Sequence, residues 1–318
     1  MRDPQVNHVV AADVGGTNTR IAIVNGDGDI LTLLKKSTHC EDGKDEMIKF
    51  LISFIKETIE KSRISRQKIC GIGLGFPGPL DAETGVIFTP PNLIGWDNVP
   101  LKAILEGEFK IPVSVENDAN SAALGEWWMG AGTGTNNMVC ITLGTGVGGG
   151  IVLDGKLLHG ASYMAGEVGH MTIVRDGIMC TCGNRGCLEA YASARGITAM
   201  VHAAFIESNL KNELQTPITL ELICKMALQG NEIVLNAIRE TGVILGIAIA
   251  NLANLLNPEM VVLFGGVTNL GENLIKPMRE EVKKRAFKKA TEFLRIEVSK
   301  LPDKSGILGA AKSILLKL

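Results

Sequence analysis

Apolar and polar positions along this chain switch repeatedly between a period of two and a period near 3.6. Residues 9–14 and 20–24 are short apolar runs rich in Val and Ile, separated by Gly15-Gly16-Thr17, and they predict a β-hairpin. Asn25-Gly26 is a tight-turn dipeptide that leads into a third strand near 30–34. Between 45 and 62 the residues Met47, Ile48, Leu51, Phe54, Ile55 and Ile59 recur at helical spacing and predict an amphipathic helix. Residues 69–74 and 113–116 read as further strands. Strand-like runs return at 138–143 and 149–153, around Gly144-Thr145-Gly146. Helices are then expected at 188–207, 219–228, 232–256, 272–287 and 307–316, with strands at 260–264 and 294–298. Strands alternating with helices give an α/β class.

The second glycine hairpin repeats the first. Gly15-Gly16-Thr17 followed by Ile21-Ala22-Ile23-Val24-Asn25-Gly26 matches Gly144-Thr145-Gly146 followed by Gly150-Ile151-Val152-Leu153-Asp154-Gly155, 129 positions later. A repeat on that scale is too long for a solenoid and implies duplication of a domain. Two related α/β domains facing a cleft follow, with expected limits of 1–117 and 118–301 and a last helix, about 302–318, packing back on the first domain.

Composition narrows the class. The 318 residues include 46% hydrophobic and 21% charged side chains and carry a formal charge of -2, a profile for a globular protein with a sizeable core. No sustained basic block offers a face to nucleic acid; Lys283, Lys284, Arg285, Lys288 and Lys289 lie in a mixed-charge helical stretch. The longest apolar run, 242–250, is shorter than a membrane span and reads as a buried helix. Residues 1–8 hold no apolar stretch of signal-peptide length, so a cytoplasmic protein is expected. Seven cysteines, three of them at Cys180, Cys182 and Cys187, argue for reduced thiols and a metal site over disulfides.

The chemistry-bearing residues fall into three groups. Asp13 precedes Gly15, Gly16, Thr17 and Asn18, a turn whose backbone N–H groups can approach phosphate oxygens. Any hairpin can contain such a turn, but Gly144, Thr145 and Gly146 supply a second one, and two loops can grip a polyphosphate from both sides. Asp13 would orient the Mg²⁺ that travels with ATP. Asp118, in Glu116-Asn117-Asp118-Ala119-Asn120, ends a strand and opens a helix; either Asp118 or Asn120 could be a helix cap, or Asp118 could take the proton of an attacking hydroxyl. His170, Cys180, Cys182 and Cys187 have the spacing and donor set of a closed tetrahedral Zn²⁺ site, which is structural. Such a clamp would fix Glu167 and Glu189 where they can accept hydrogen bonds from sugar hydroxyls, and leave one His170 nitrogen free to donate.

Together these segments resemble the ROK family of sugar kinases and repressors. The specific matches are 143–150, Ala165-Gly166-Glu167-Val168-Gly169-His170 and Cys180-Thr181-Cys182-Gly183-Asn184-Arg185-Gly186-Cys187-Leu188-Glu189. The resemblance implies a two-domain actin-like (ribonuclease-H-like) ATPase fold with an interdomain cleft. It implies Asp118 as general base, with Gly78, Asn92, Asn117, Asp118, Glu167, His170 and Glu189 contacting the sugar, and Gly265 and Gly266 near the adenosine. Within the family, 116–126 looks most like bacterial glucokinases, implying transfer from ATP to the 6-hydroxyl of glucose. Ser121 departs from the alanine frequent there. Mannose, fructose or an N-acetylhexosamine are the alternative acceptors, and polyphosphate an alternative donor. The repressor branch carries a winged-helix region before the first loop, whereas twelve residues precede Asp13 here, so no nucleic-acid or membrane partner is expected. A homodimer or dimer of dimers is implied by the resemblance alone.

Overall fold

The computed structural model describes residues 8–38, 43–89, 93, 95–210, 217–301 and 303–318. The first lobe is built from β1 (His8–Val14), β2 (Asn18–Val24), β3 (Ile30–Ser37), α1 (Lys44–Ser62), β4 (Ile69–Phe76), the short strands β5 (Leu80–Asp81), β6 (Val86–Ile87) and β7 (Val99–Pro100), α2 (Leu101–Phe109) and β8 (Val113–Asn117). Next come α3 (Asp118–Met129), β9 (Met138–Leu143), β10 (Val147–Leu153) and β11 (Lys156–Leu157). The chain continues through α4 (Glu189–Ala192), α5 (Ala194–Glu207), α6 (Leu220–Leu228), α7 (Glu232–Leu256) and β12 (Met260–Phe264). It closes with α8 (Glu272–Arg285), α9 (Lys288–Phe293), β13 (Arg295–Val298) and α10 (Ser305–Leu315).

The duplication is visible in the sheets. One runs β3-β2-β1-β4-β8 and the other β11-β10-β9-β12-β13. Each has an antiparallel meander followed by two parallel strands. Strand alternation gives each sheet two apolar faces. Val10, Ala12, Val14, Ile21 and Ile23 pack with Leu51, Phe54 and Ile55 of α1, while Val9, Ala11, Ala22 and Val24 pack with Ile307, Ala310 and Ile314 of α10. In the second sheet Val139, Ile141, Val261 and Leu263 join the core around α5, α7 and α8; Met138, Cys140, Val152 and Val262 pack with Ala123 of α3.

Helices α3 and α10 therefore lie between the sheets, and they cross at close range. A Cβ on Gly309 would stand 1.5 Å from the carbonyl oxygen of Ser121, so only glycine lets the two backbones meet there. Glu126 of α3, fully buried, accepts hydrogen bonds from Ser299 and Ser305 and so anchors the segment entering α10.

Two features differ from expectation, and the buried helix expected around 242–250 is borne out. The helix expected over 188–207 is two helices, because the Ser193 hydroxyl accepts from the Gly196 amide (3.0 Å) and starts α5 afresh. The small β5-β6-β7 sheet and α2 were not foreseen; each of those strands is two residues long and shows no periodicity. The run 242–250 sits inside the 25-residue α7, which is long and apolar enough to cross a membrane; burial of Ile244, Leu245, Ala248 and Ile249 in the second lobe makes it a core helix.

Candidate functional site

The site gathers at the ends of β1, β8 and β9, where both hairpins turn. In the first hairpin Val14 pairs with Thr19, and the Gly15 amide donates to the Asn18 carbonyl (3.0 Å). Thr38, beyond β3, braces this turn: its amide donates to the Thr17 carbonyl (3.0 Å) and its hydroxyl to the Gly15 carbonyl (2.7 Å). Gly16 and Thr17 remain exposed at the tip. Asp13 pairs across the strands with Arg20, whose guanidinium lies 3.3 Å from its carboxylate and also reaches Asp303. Burial holds Asp13 above the usual carboxylate range, and Arg20 opposes that shift.

The second hairpin is one residue tighter. Leu143 pairs with Val147, and the Gly144 amide donates to the Gly146 carbonyl (3.0 Å). Its braces come from outside its own sheet. Glu189 Oε2 accepts from the Val147 amide (3.0 Å), and the Ala194 amide donates to the Gly144 carbonyl (2.8 Å). Gly265 abuts the same turn: with φ at 116°, a Cβ there would meet the Leu143 carbonyl at 2.5 Å. Gly266 follows it, exposed.

Asp118 stands where β8 passes into α3. The cap is neither Asp118 nor Asn120 but Asn117, whose Oδ1 accepts from the Ala119 (2.9 Å) and Asn120 (3.2 Å) amides while its Nδ2 donates to the Gly78 carbonyl (3.3 Å). The cap leaves Asp118, the first helical residue, with an accessible carboxylate. Its surface faces the cleft, but the protein packed around it displaces bulk water and pushes that carboxyl up to about 6; the Ala119 amide opposes the shift, and the Asp13 and Glu167 carboxylates push it further up. Those two neighbours come from opposite lobes, so the fold brings Asp13, Asp118 and Glu167 into one electrostatic neighbourhood. Glu167 itself is exposed, just before the turn that carries His170.

His170, Cys180, Cys182 and Cys187 converge, with their donor atoms all within 4.8 Å of one another. Cys182 and Cys187 sulfurs are 3.7 Å apart, and Cys180 Sγ lies 3.8 Å from His170 Nδ1. Two thiolates at about 2.3 Å from a tetrahedral Zn²⁺ would be about 3.8 Å apart, so the residues fit the ion. The loop folds back through the Gly186 amide to Ile178 carbonyl bond (2.8 Å). At Gly186, φ is 73° and a Cβ would lie 1.6 Å from the Val174 carbonyl, so no side chain fits. Burial and the neighbouring thiols push Cys187 up to about 12, a proton hold that a bound cation would replace.

Glu189 links the clamp to the second hairpin. Besides Val147 it accepts from Thr181 Oγ1 (3.2 Å) and pairs with Arg195 (3.3 Å), and its Oε1 lies 3.8 Å from Cys180 Sγ. Asn92 lies outside the described residues. Arg20, Thr38, Thr181 and Arg195 escaped the sequence reading. Arg20 alone had a signal there, since a short turn after Asp13 sets the two residues opposite each other.

Two matched lobes, each ending in a glycine hairpin beside a shared carboxylate, define an actin-like two-domain α/β fold of the ATPase type. The chain belongs to the ROK family, whose model matches residues 9–316. Among its relatives is a glucokinase of Halalkalibacterium halodurans, 39% identical over 94% of this chain and 92% of that protein. A xylose repressor of Caldicellulosiruptor bescii is 34% identical over 98% of this chain and 78% of the repressor. A solved ROK family glucokinase from Streptomyces griseus, in complex with glucose and AMPPNP, is 30% identical, with a TM-score of 0.81 over 96% of this chain and 98% of that one.

Proposed function

We propose that this protein is a hexose kinase that transfers the γ-phosphoryl group of ATP to the 6-hydroxyl of glucose. The observation that carries the reading is Asp118: an accessible carboxylate with a pKa raised to about 6, close to Glu167 and Asp13, between two hairpins suited to phosphate. The glucokinase and glucose–AMPPNP relatives support glucose and ATP as the substrates.

In this reading Gly15, Gly16, Thr17 and Asn18 from one lobe, and Gly144, Thr145 and Gly146 from the other, hold the phosphates through backbone amides. Gly265 and Gly266 flank the nucleoside. Asn117, Glu167, His170 and Glu189 orient the sugar, with Gly78 and Asn92 on the neighbouring loops. His170 turns Nδ1 to the thiols, which leaves Nε2 for a sugar hydroxyl. Asp118 accepts the hydroxyl proton as the new O–P bond forms and the bond to ADP breaks. Because the transition state is loose, positioning and charge neutralisation supply most of the rate. Mg²⁺, when bound near Asp13, neutralises phosphate charge; Zn²⁺, when bound by His170, Cys180, Cys182 and Cys187, holds the loop that carries Glu189. A cytoplasmic location and a homo-oligomeric state accord with the resemblance to bacterial glucokinases.

The test is a coupled assay of ADP release over glucose, mannose, fructose and N-acetylglucosamine, with polyphosphate as a second donor. Glucose with ATP should give the highest kcat/KM. Phosphorylation of another hexose at a higher kcat/KM, or of none, would refute the reading.

A further inference from the structure

Residues 159–165 form a loop of the second lobe whose side chains reach the first. Its base is fixed on the second sheet. The Leu158 amide donates to the Ile151 carbonyl (2.8 Å), and the Ala165 amide closes the loop on the His159 carbonyl (3.0 Å). At the exit a Cβ on Gly166 would lie 2.9 Å from the Gly149 carbonyl, so the chain returns directly onto β10 at the residue before Glu167.

The far side of the loop rests on the first lobe. The Tyr163 ring packs against that lobe's core, its hydroxyl donates to Glu83 (2.8 Å), and it meets the His159 ring edge-on at 5.8 Å. Tyr163 does so from a left-handed backbone, with φ at 62°, which a bulky side chain adopts only where its surroundings enforce it. His159 Nε2 lies 2.7 Å from Glu116 Oε2. Glu116 raises the His159 pKa, against partial burial and the Lys317 ammonium, which keeps a proton between the two.

Glu116, only 4% exposed, uses its other oxygen on both flanks of Asp118. Oε1 accepts from the Asn117 amide (2.9 Å) and from Asn120 Nδ2 (3.0 Å). Removing the His159 ring leaves Oε2 buried without that donor, and a carboxylate that turns toward water to regain one must release Asn117 and Asn120. A second-lobe side chain thereby sets the segment that carries Asp118.

We propose that His159 and Tyr163 are positioning residues, and that their loop straps the lobes together so that Asp118 faces Glu167. The assignment rests on the reading of Asp118 as base and Glu167 as sugar ligand.

Two readouts on the full chain test it: kcat and KM on whichever hexose the parent phosphorylates fastest, and hydrogen–deuterium exchange of the amides at 117–120 without substrate. His159→Leu should lower kcat about tenfold or more, leave KM for ATP within about twofold, and speed exchange at 117–120 about tenfold. His159→Gln still offers a donor to Glu116 and should bring both back to within about threefold of the parent. Tyr163→Gly removes the ring, tolerates the left-handed φ and leaves Glu116 untouched; it should shift both readouts in the same direction as His159→Leu. Parental kcat or parental exchange in His159→Leu, or in Tyr163→Gly should the former not fold, would overturn the proposal. So would a Gln variant as impaired as the Leu variant. A parent that phosphorylates no hexose would sink the kinase reading instead, and the exchange rates would then decide the strap alone.

Discussion

The two lobes share a strand order, yet their hairpins are braced by different means. The first turn is held from within its own lobe: Thr38 donates to Gly15, and Arg20 pairs with Asp13 across β1 and β2. The second is tied to Glu189, which belongs to the Cys/His loop, and to the first residue of α5. Duplication has thus kept the scaffold while the means of fixing each turn diverged. The first hairpin should answer only to its own neighbours, whereas the second should answer to the state of the metal loop.

The largest expected effect is at the carboxylate both lobes share. Asp118→Asn should reduce kcat by about 10² to 10⁴. Its carboxyl titrates near 6 in the folded chain but near 3.8 in the unfolded one, so at pH 7 ionisation disfavours the native state. The Asn variant should therefore melt no lower than the parent. In the parent, kcat/KM should drop about tenfold per pH unit below about 6 as the base becomes protonated. Wild-type turnover in the variant would remove Asp118 from the chemistry.

Metal loss sharpens the contrast between the hairpins. Elemental analysis should find about one zinc per chain, and stripping it with a chelator in mild denaturant should abolish glucose binding and weaken ATP binding. A zinc-free preparation that retains both affinities would make the second hairpin as self-sufficient as the first.

The smallest effects are the most discriminating. Glu189→Gln loses the Arg195 ion pair and weakens the bond to Val147, and it should raise KM for both substrates about tenfold. Thr38→Val loses two bonds of about 1 kcal/mol each, to the Gly15 carbonyl and with the Thr19 hydroxyl, and should raise KM for ATP alone, about fivefold. A rise in the sugar KM with Thr38→Val would end the distinction drawn between the turns.

Features written in local spacing were legible from residues alone. The repeat at Gly15 and Gly144 predicted paired hairpins, and the His170-to-Cys187 spacing predicted a cluster whose donors do converge. What the sequence hid depends on distant partners. The Glu116–His159 bond joins residues 43 positions apart, on different lobes. Glu189 looked like a free sugar ligand, but it also braces Val147, 42 positions earlier. The Ser193 break was masked because apolar spacing continues across it, and only the side-chain cap reveals the restart.

Where α3 and α10 cross, backbone touches backbone, with Gly309 against Ser121 and Gly125 against Ser305. A joint without an intervening cushion of side chains has little to compress. Tilting one helix must carry the other along, so a movement begun at the sugar end of one lobe reaches its counterpart with little slack.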